Sequence, residues 1–167
     1  MDKETKKTAL RMIPYGLYVL TAETEKGDAA AAAVNWVSQA SFEPPLVVTG
    51  VKVDSGAHQL IKETGFFALN MLGKGQQDIC FGFFKPTTKD GNTLNGVKYS
   101  PGKNGCPILE STPAYIECKL VDTVERGDHS IFVGEVVDAG LQQEIKGRAD
   151  QAILVLSDLG EKTFYGG

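Results

Sequence analysis

The sequence has few of the residues on which metal, disulfide and nucleic-acid chemistry depend. Its three cysteines, Cys80, Cys106 and Cys118, form no CxxC pair. Neither a disulfide framework nor a zinc or iron–sulfur site is supported, and all three read as reduced and structural. Only two histidines occur, His58 and His129, far apart in sequence, so no metal site is expected. Any redox chemistry must then be borrowed from an organic cofactor. Seventeen Lys and Arg against 21 Asp and Glu leave a formal charge of −4, which argues against nucleic acid, whose phosphates demand a positive face. No apolar run approaches the roughly 20 residues of a membrane-spanning helix. The opening MDKETKKTALRM lacks the apolar core of a signal peptide, and a soluble, cytoplasmic protein is expected. No GxGxxG follows a strand, and Gly73-Lys74-Gly75 lacks the Gly-Lys-Ser/Thr ending of a phosphate loop. Rossmann and P-loop sites are both excluded.

What is present is an ordinary globular composition, 42% hydrophobic and 23% charged over 167 residues, read as one domain over residues 1–167. The chain is organised around residues 34–48, VNWVSQASFEPPLVV. Polar Asn35, Ser38, Gln39 and Ser41 stand beside an indole, Trp36, between apolar flanks. Each hydroxyl or amide alone could bond its own backbone. Four of them within eight residues read as the lining of a small-molecule site, an apolar wall with a few convergent polar groups. Pro44-Pro45 ends any ladder and is expected to set an extended exit.

In chain order, residues 3–12 have helical composition and Pro14-Tyr15-Gly16 breaks that helix. Residues 17–23 read as a strand, 25–28 as a hairpin turn, and the alanine run 29–34 as a strand whose small side chains let a backbone or a flat ligand come close. The near-continuous apolar run 46–51 reads as a buried strand. Next comes a short helix with Asp54 or Ser55 as N-cap and Gly65 as its stop. Lys52, Ser55 and His58 at its start suit an anion, or simply cap a surface helix. A strand at 66–72 precedes a second short helix within 73–86. Residues 87–107, rich in Gly, Asn, Lys and Thr, read as a long exposed loop, either a lid or a partner surface. Strands follow at 114–127, 129–142 and 152–157, and LGEKTFYGG reads as a polar closing turn. Runs of strands with only short helices between favour an antiparallel barrel.

Several motifs in their order resemble the flavin reductase-like family. They are Pro14-Tyr15-Gly16 with Val19 and Thr21, then Asn35-Trp36-Val37-Ser38-Gln39-Ala40-Ser41 before Pro44-Pro45-Leu46. Ser55 and His58 ahead of a short helix follow, with Gly65-Phe66-Phe67-Ala68, Asn70 and Leu72. The last is Gly127-Asp128-His129 before Ile131-Phe132-Val133-Gly134-Glu135-Val136. The wording WVSQASFEPP is similar to the flavoredoxin and flavodiiron-associated branch. The resemblance implies a mainly β fold with short helices, an antiparallel, Greek-key-like FMN-binding split β-barrel, and a homodimer with FMN near its interface. It places the flavin ring against Asn35, Trp36, Val37, Ser38, Gln39 and Ala40. The phosphate falls to Ser41, Lys52, Ser55 and His58. Phe84 or Phe81 would cover the ring, and His129, the catalytic candidate, lies on the nicotinamide side. Trp36 serves either this site or the core, and His129 either the nicotinamide or its own turn. The family's tyrosine- and arginine-rich final strand is missing here.

Two functions follow as expectations. One is an FMN-dependent flavin reductase that takes electrons from NADH or NADPH and passes them to a flavin, metal or protein acceptor. The other is an FMN-retaining electron-transfer module that exchanges electrons with a redox protein such as rubredoxin, a flavodiiron protein or an iron–sulfur protein. A flavin-storage protein without turnover is a third and weaker reading.

Overall fold

In the computed structural model, which describes residues 1–167, strand β1 (Tyr18–Glu23) is buried on both faces and has neighbours on both edges. It hairpins through Gly27, at φ +89°, into β2 (Ala29–Val34). On its other side lies β5 (Phe66–Met71). The sheet continues through β10 (Ala114–Glu125), β11 (His129–Leu141), β4 (Leu46–Lys52) and β3 (Val37–Ser41), every pair antiparallel. Strands β2 and β3 are consecutive in sequence but lie at opposite edges of this seven-stranded sheet. Only Asn35 and Trp36 join them, and three residue steps reach about 11 Å at most. The sheet must therefore curl until its edges meet, and β2 does touch β4 across the seam. The result is a barrel split at Asn35–Trp36, mainly β as expected.

Alternation along the strands divides the core in two. Inward-facing Leu20, Phe67, Leu69 and Phe132 fill the barrel, and helix α2 (Gly56–Thr64) plugs one end with Ala57 and Ile61. Ser55 caps that helix, and Gly65, at φ +73°, ends it. Outward-facing Val19, with Leu17 and Leu72, packs beneath helix α3 (Gln77–Gly82), Phe83, Leu94, Leu109 and Leu154. Helix α1 (Lys3–Arg11) lies outside both cores and buries no residue. No helix is long and apolar enough to cross a membrane.

Four expectations are corrected. Residues 87–107 are not an exposed loop but most of a four-stranded meander, β6 (Lys89–Asp90), β7 (Thr93–Leu94), β8 (Val97–Pro101) and β9 (Pro107–Leu109). It buries Leu94, Tyr99 and Cys106. Its strands are too short for a period-2 pattern to emerge between the turn formers. Residues 152–157 are not a strand. After helix α4 (Ala149–Ala152) they make only single bridges, Ile153 to Gly73 and Val155 to Gly16, and then enter a 3-10 turn (Leu156–Leu159). Leu154 bonds both Leu17 N and Leu72 O, so this segment crosses the strand ends rather than running along one. The apolar run in β4 is buried only at alternate residues, Val47, Thr49 and Val51, because only one face of the sheet meets the barrel interior. Pro44 and Pro45 lie in the turn that returns β3 to β4 as a hairpin, not in an extended exit.

Candidate functional site

Two cavities meet at the seam of the barrel. The first, about 310 Å³, has Ala32, Ala33 and Asn35 as one wall and Lys52 with Ser55 at one end. Phe83, Phe84, Phe164 and Tyr165 complete it. Alanine is the reason the slot exists: larger side chains at 32 and 33 would fill it. At its polar end, Ser55 Oγ accepts from His58 N at 3.1 Å and donates to Lys52 O at 2.7 Å. The next two N–H groups of the helix start, on Gly56 and Ala57, have no backbone partner. Two free amides at the positive end of a nine-residue helix, with Lys52 and Ser55 at the same end of the slot, are an arrangement that favours negative charge. Lys52 is exposed and pairs only with the equally exposed Asp54, at 3.1 Å, a contact that holds it weakly.

The second cavity, about 720 Å³, lies between the end of α1 and strands β3, β4 and β11, and its lining includes Trp36, Val48, Asp128, His129 and Ile131. Its polar feature is a three-residue chain. Asp128 Oδ1 lies 2.9 Å from His129 Nδ1, and His129 Nε2 lies 2.7 Å from Tyr165 Oη. A carboxylate only accepts, so Nδ1 carries a proton, and the phenol is the partner of Nε2. The His129 bond lowers the Asp128 pKa, and burial raises that of Tyr165 above the ordinary phenol value. The phenol therefore stays protonated at neutral pH. Trp36 packs on both rings, centroids 4.6 Å from His129 and 5.4 Å from Tyr165. Its Nε1 is buried without an acceptor, which costs about 1–3 kcal/mol.

Of the residues singled out from sequence, the fold brings together Asn35, Lys52, Ser55 and Phe84 around the first cavity and Trp36 and His129 around the second. Val37 and Ser38 line the second cavity as well as a third, of about 410 Å³, at the barrel end away from α2, where Gln39 joins them. Gln39 and Ser38 are exposed and spend their polar groups locally, Ser38 Oγ on Gln39 O and Gln39 Nε2 on Ser41 O. Ala40 is exposed, and Ser41 lines none of the three cavities. His58 is turned away from the Lys52–Ser55 end. Its ring is buried, with Nε2 2.8 Å from Ser130 Oγ. Burial, assisted by the Lys62 charge, lowers its pKa and favours the neutral ring. Only its backbone N–H faces Ser55. Phe84 is 55% exposed and packs edge-on against Phe81.

Sequence reasoning missed the closing segment. Asn35 Nδ2 donates to Tyr165 O at 3.2 Å, and Phe164 and Tyr165 wall the first cavity. The only signal in the sequence is that Phe164 and Tyr165 are adjacent aromatics in an otherwise polar closing segment.

A split antiparallel barrel with an alanine-walled slot, polar at its Lys52–Ser55 end, and a second cavity lined by Trp36 and His129 defines the class: a split β-barrel with a small-molecule-sized cleft at its seam. The chain belongs to the family of the flavin reductase like domain, whose model matches residues 10–159. It is 31% identical over 144 residues to a flavin reductase of Pseudomonas putida, covering 86% of this chain and 83% of that one. It is 35% identical over 140 residues to diflavin flavoprotein A 1 of Synechocystis sp., covering 83% of this chain. To a high molecular weight rubredoxin of Moorella thermoacetica it is 33% identical over 142 residues, 80% of this chain and 58% of the relative. The chain spans only about a quarter of the diflavin flavoprotein, 24%. Among solved structures, the styrene monooxygenase flavin reductase of Pseudomonas putida S12 matches with a TM-score of 0.70 at 29% identity. That match covers 81% of this chain and 85% of that one.

Proposed function

We propose that this chain is an FMN-dependent reductase that takes electrons from NADH or NADPH and passes them to a flavin, metal or protein acceptor. The observation that carries this reading is the first cavity, where a flat alanine wall leads to Lys52, Ser55 and two free helix amides. Its volume of about 310 Å³ falls within the range of small-molecule sites. A planar ring ending in a phosphate matches it at both ends. Lys52, Ser55 Oγ and the N–H groups of Gly56 and Ala57 would hold the phosphate, while Ala32, Ala33 and Asn35 would receive the ring, with Phe84 over it. Bound FMN supplies the redox chemistry, accepting a hydride from nicotinamide and handing electrons on. The protein's part is to hold two flat rings in contact and keep water out. His129, held at Nδ1 by Asp128 and packed on Trp36, positions the nicotinamide.

The same site serves a second reading, an FMN-retaining electron-transfer module reduced by and reducing protein partners. The names of the diflavin flavoprotein and the high molecular weight rubredoxin favour it, since the matching segment is only 24% of the one and 58% of the other. We also propose a homodimer. Val124 and Ile131 face each other across β10 and β11 as an exposed apolar pair, 41% and 45% accessible, beside the second cavity, which Ile131 lines. An anaerobic visible spectrum before and after NADH tests the function. Absorbance near 450 nm, about the usual flavin band, that bleaches within seconds supports the reductase. A yellow protein that does not bleach supports the module, and one that cannot be reconstituted with FMN ends both.

A further inference from the structure

We propose that Tyr165 is a positioning residue of this site: it latches residues 163–167 as a strap across the flavin slot and so slows the flavin's release. The proposal rests on the flavin reading above and adds what decides between a retained and a diffusible flavin.

The strap is placed for this work. Thr163, Phe164 and Tyr165 form one wall of the slot whose other walls are Ala32, Ala33 and the Lys52–Ser55 end. A ligand in the slot cannot leave on that side unless the strap moves. The latch has three parts, all on Tyr165. Its carbonyl accepts from Asn35, its hydroxyl meets His129 at 2.7 Å, and its ring packs on Trp36. Arg11 adds a clasp from outside, with Nε 3.4 Å from Gly166 O and the guanidinium 4.1 Å from the Phe164 ring centroid. Helix α1, which buries nothing of its own, thus gains a reason to lie where it does.

The strap is also built to open. It joins no sheet, and its one backbone bond that is not to a side chain is Thr163 N to Gly160 O. Phe164 and Tyr165 remain 51% and 48% exposed. Closure leaves the Trp36 indole N–H buried with no acceptor, with Gly166 lying against it: a Cβ there would come within 3.5 Å of Nε1. Opening returns that donor to water and offsets part of what the latch gains. A latch of side-chain bonds opens without breaking a strand ladder, and a ligand beneath it shifts the balance between closed and open.

The test compares the full chain with a truncation after Lys162 and with Tyr165→Ala and Tyr165→Phe. FMN dissociation is followed by recovery of flavin fluorescence on dilution. Trp36 is the only tryptophan, so its emission reports strap closure with no flavin present. We expect the truncation and Tyr165→Ala to release FMN at least tenfold faster and to red-shift Trp36 emission in the apoprotein. Tyr165→Phe, which keeps the ring but loses the His129 bond, should fall between. Urea midpoints should stay unchanged, which a merely structural role would not predict. FMN bound by all four proteins at equal release rates overturns the strap and leaves the flavin reading standing. Slower release from the truncation overturns it too, since the strap would then compete with the flavin. Failure of every form to bind FMN overturns the flavin reading itself, and the strap's role with it.

Discussion

At the scale of single residues, the site separates groups that share a motif but not a task. Lys52, Ser55 and His58 stand within seven residues of sequence, yet only Lys52 and Ser55 line the slot. His58 spends its ring on Ser130 inside the protein. Lys52→Ala should weaken FMN binding about tenfold, or ~1.4 kcal/mol, in a fluorescence-quenching titration. The urea midpoint should not move, because the exposed Lys52–Asp54 pair adds little stability. His58 gives a different signature. Its native pKa is lowered from 6.5, so below about pH 6.5 the unfolded chain binds a proton that the folded chain resists. Stability is then complete above that pH and falls as the solution is acidified toward the lowered native value. His58→Gln should flatten the fall in urea midpoint between pH 7 and pH 5 relative to the unmodified chain. An unchanged slope would place the acid sensitivity elsewhere. The three cysteine thiols are held protonated by burial, Cys80 at about 11 and Cys106 and Cys118 at about 12, which agrees with reduced, structural roles.

At the scale of elements, a buried polar latch fastens the meander to the barrel. Asn70 on β5 is fully buried. Its Nδ2 donates to Val19 O at 3.1 Å and approaches Thr21 Oγ1 and Pro107 O, while its Oδ1 accepts from Leu109 N at 2.8 Å. Thr21 Oγ1 adds a 2.6 Å bond to Pro107 O. Every polar atom of this amide is satisfied, which is the condition under which a buried network stabilises. Asn70→Ala would strand the Leu109 N–H and leave a small void. It should lower stability by about 2–4 kcal/mol in urea unfolding, with FMN affinity little changed because Asn70 lines none of the cavities at the seam. A second fastening covers the free edge of β2: Ala33 N bonds Phe83 O, and Thr87 Oγ1 exchanges bonds with Ala31 N and O. Such cover is how an edge strand avoids pairing with another chain.

At the scale of the whole molecule, the barrel seam sets the site. The edges of the sheet meet at Asn35–Trp36, and the slot with its Lys52–Ser55 end and the His129 cavity both border that seam. The exposed Val124–Ile131 pair lies next to it. If two chains associate there, the second cavity becomes shared between them. Sedimentation should then give about twice the 17.9 kDa of one chain. Val124→Lys, by placing a charge in the buried centre of that interface, should return it to one. A dimer indifferent to Val124→Lys would move the interface to another face.

The sequence by itself determined most of the elements. Ser55 and Gly65 bound α2, Gly27 turns the first hairpin, and alternating apolar residues mark β10 and β11, because caps, turns and periodicity are local properties carried by neighbouring residues. The motif from Asn35 to Ser41 reads in the sequence as the lining of a small-molecule site, and of its residues only Asn35 lines the slot. The meander hid in 87–107 because strands of two to five residues hold too few positions for a pattern, and Leu94, Tyr99 and Cys106 are buried by elements distant in sequence. Tertiary structure alone decided the side-chain assignments at the site. Whether His58 faces an anion or Ser130 depends on a strand 72 residues away. Tyr165 reaches Asn35 across 130 residues, a contact between distant ends of the chain that closure of the barrel brings together and that no local pattern encodes.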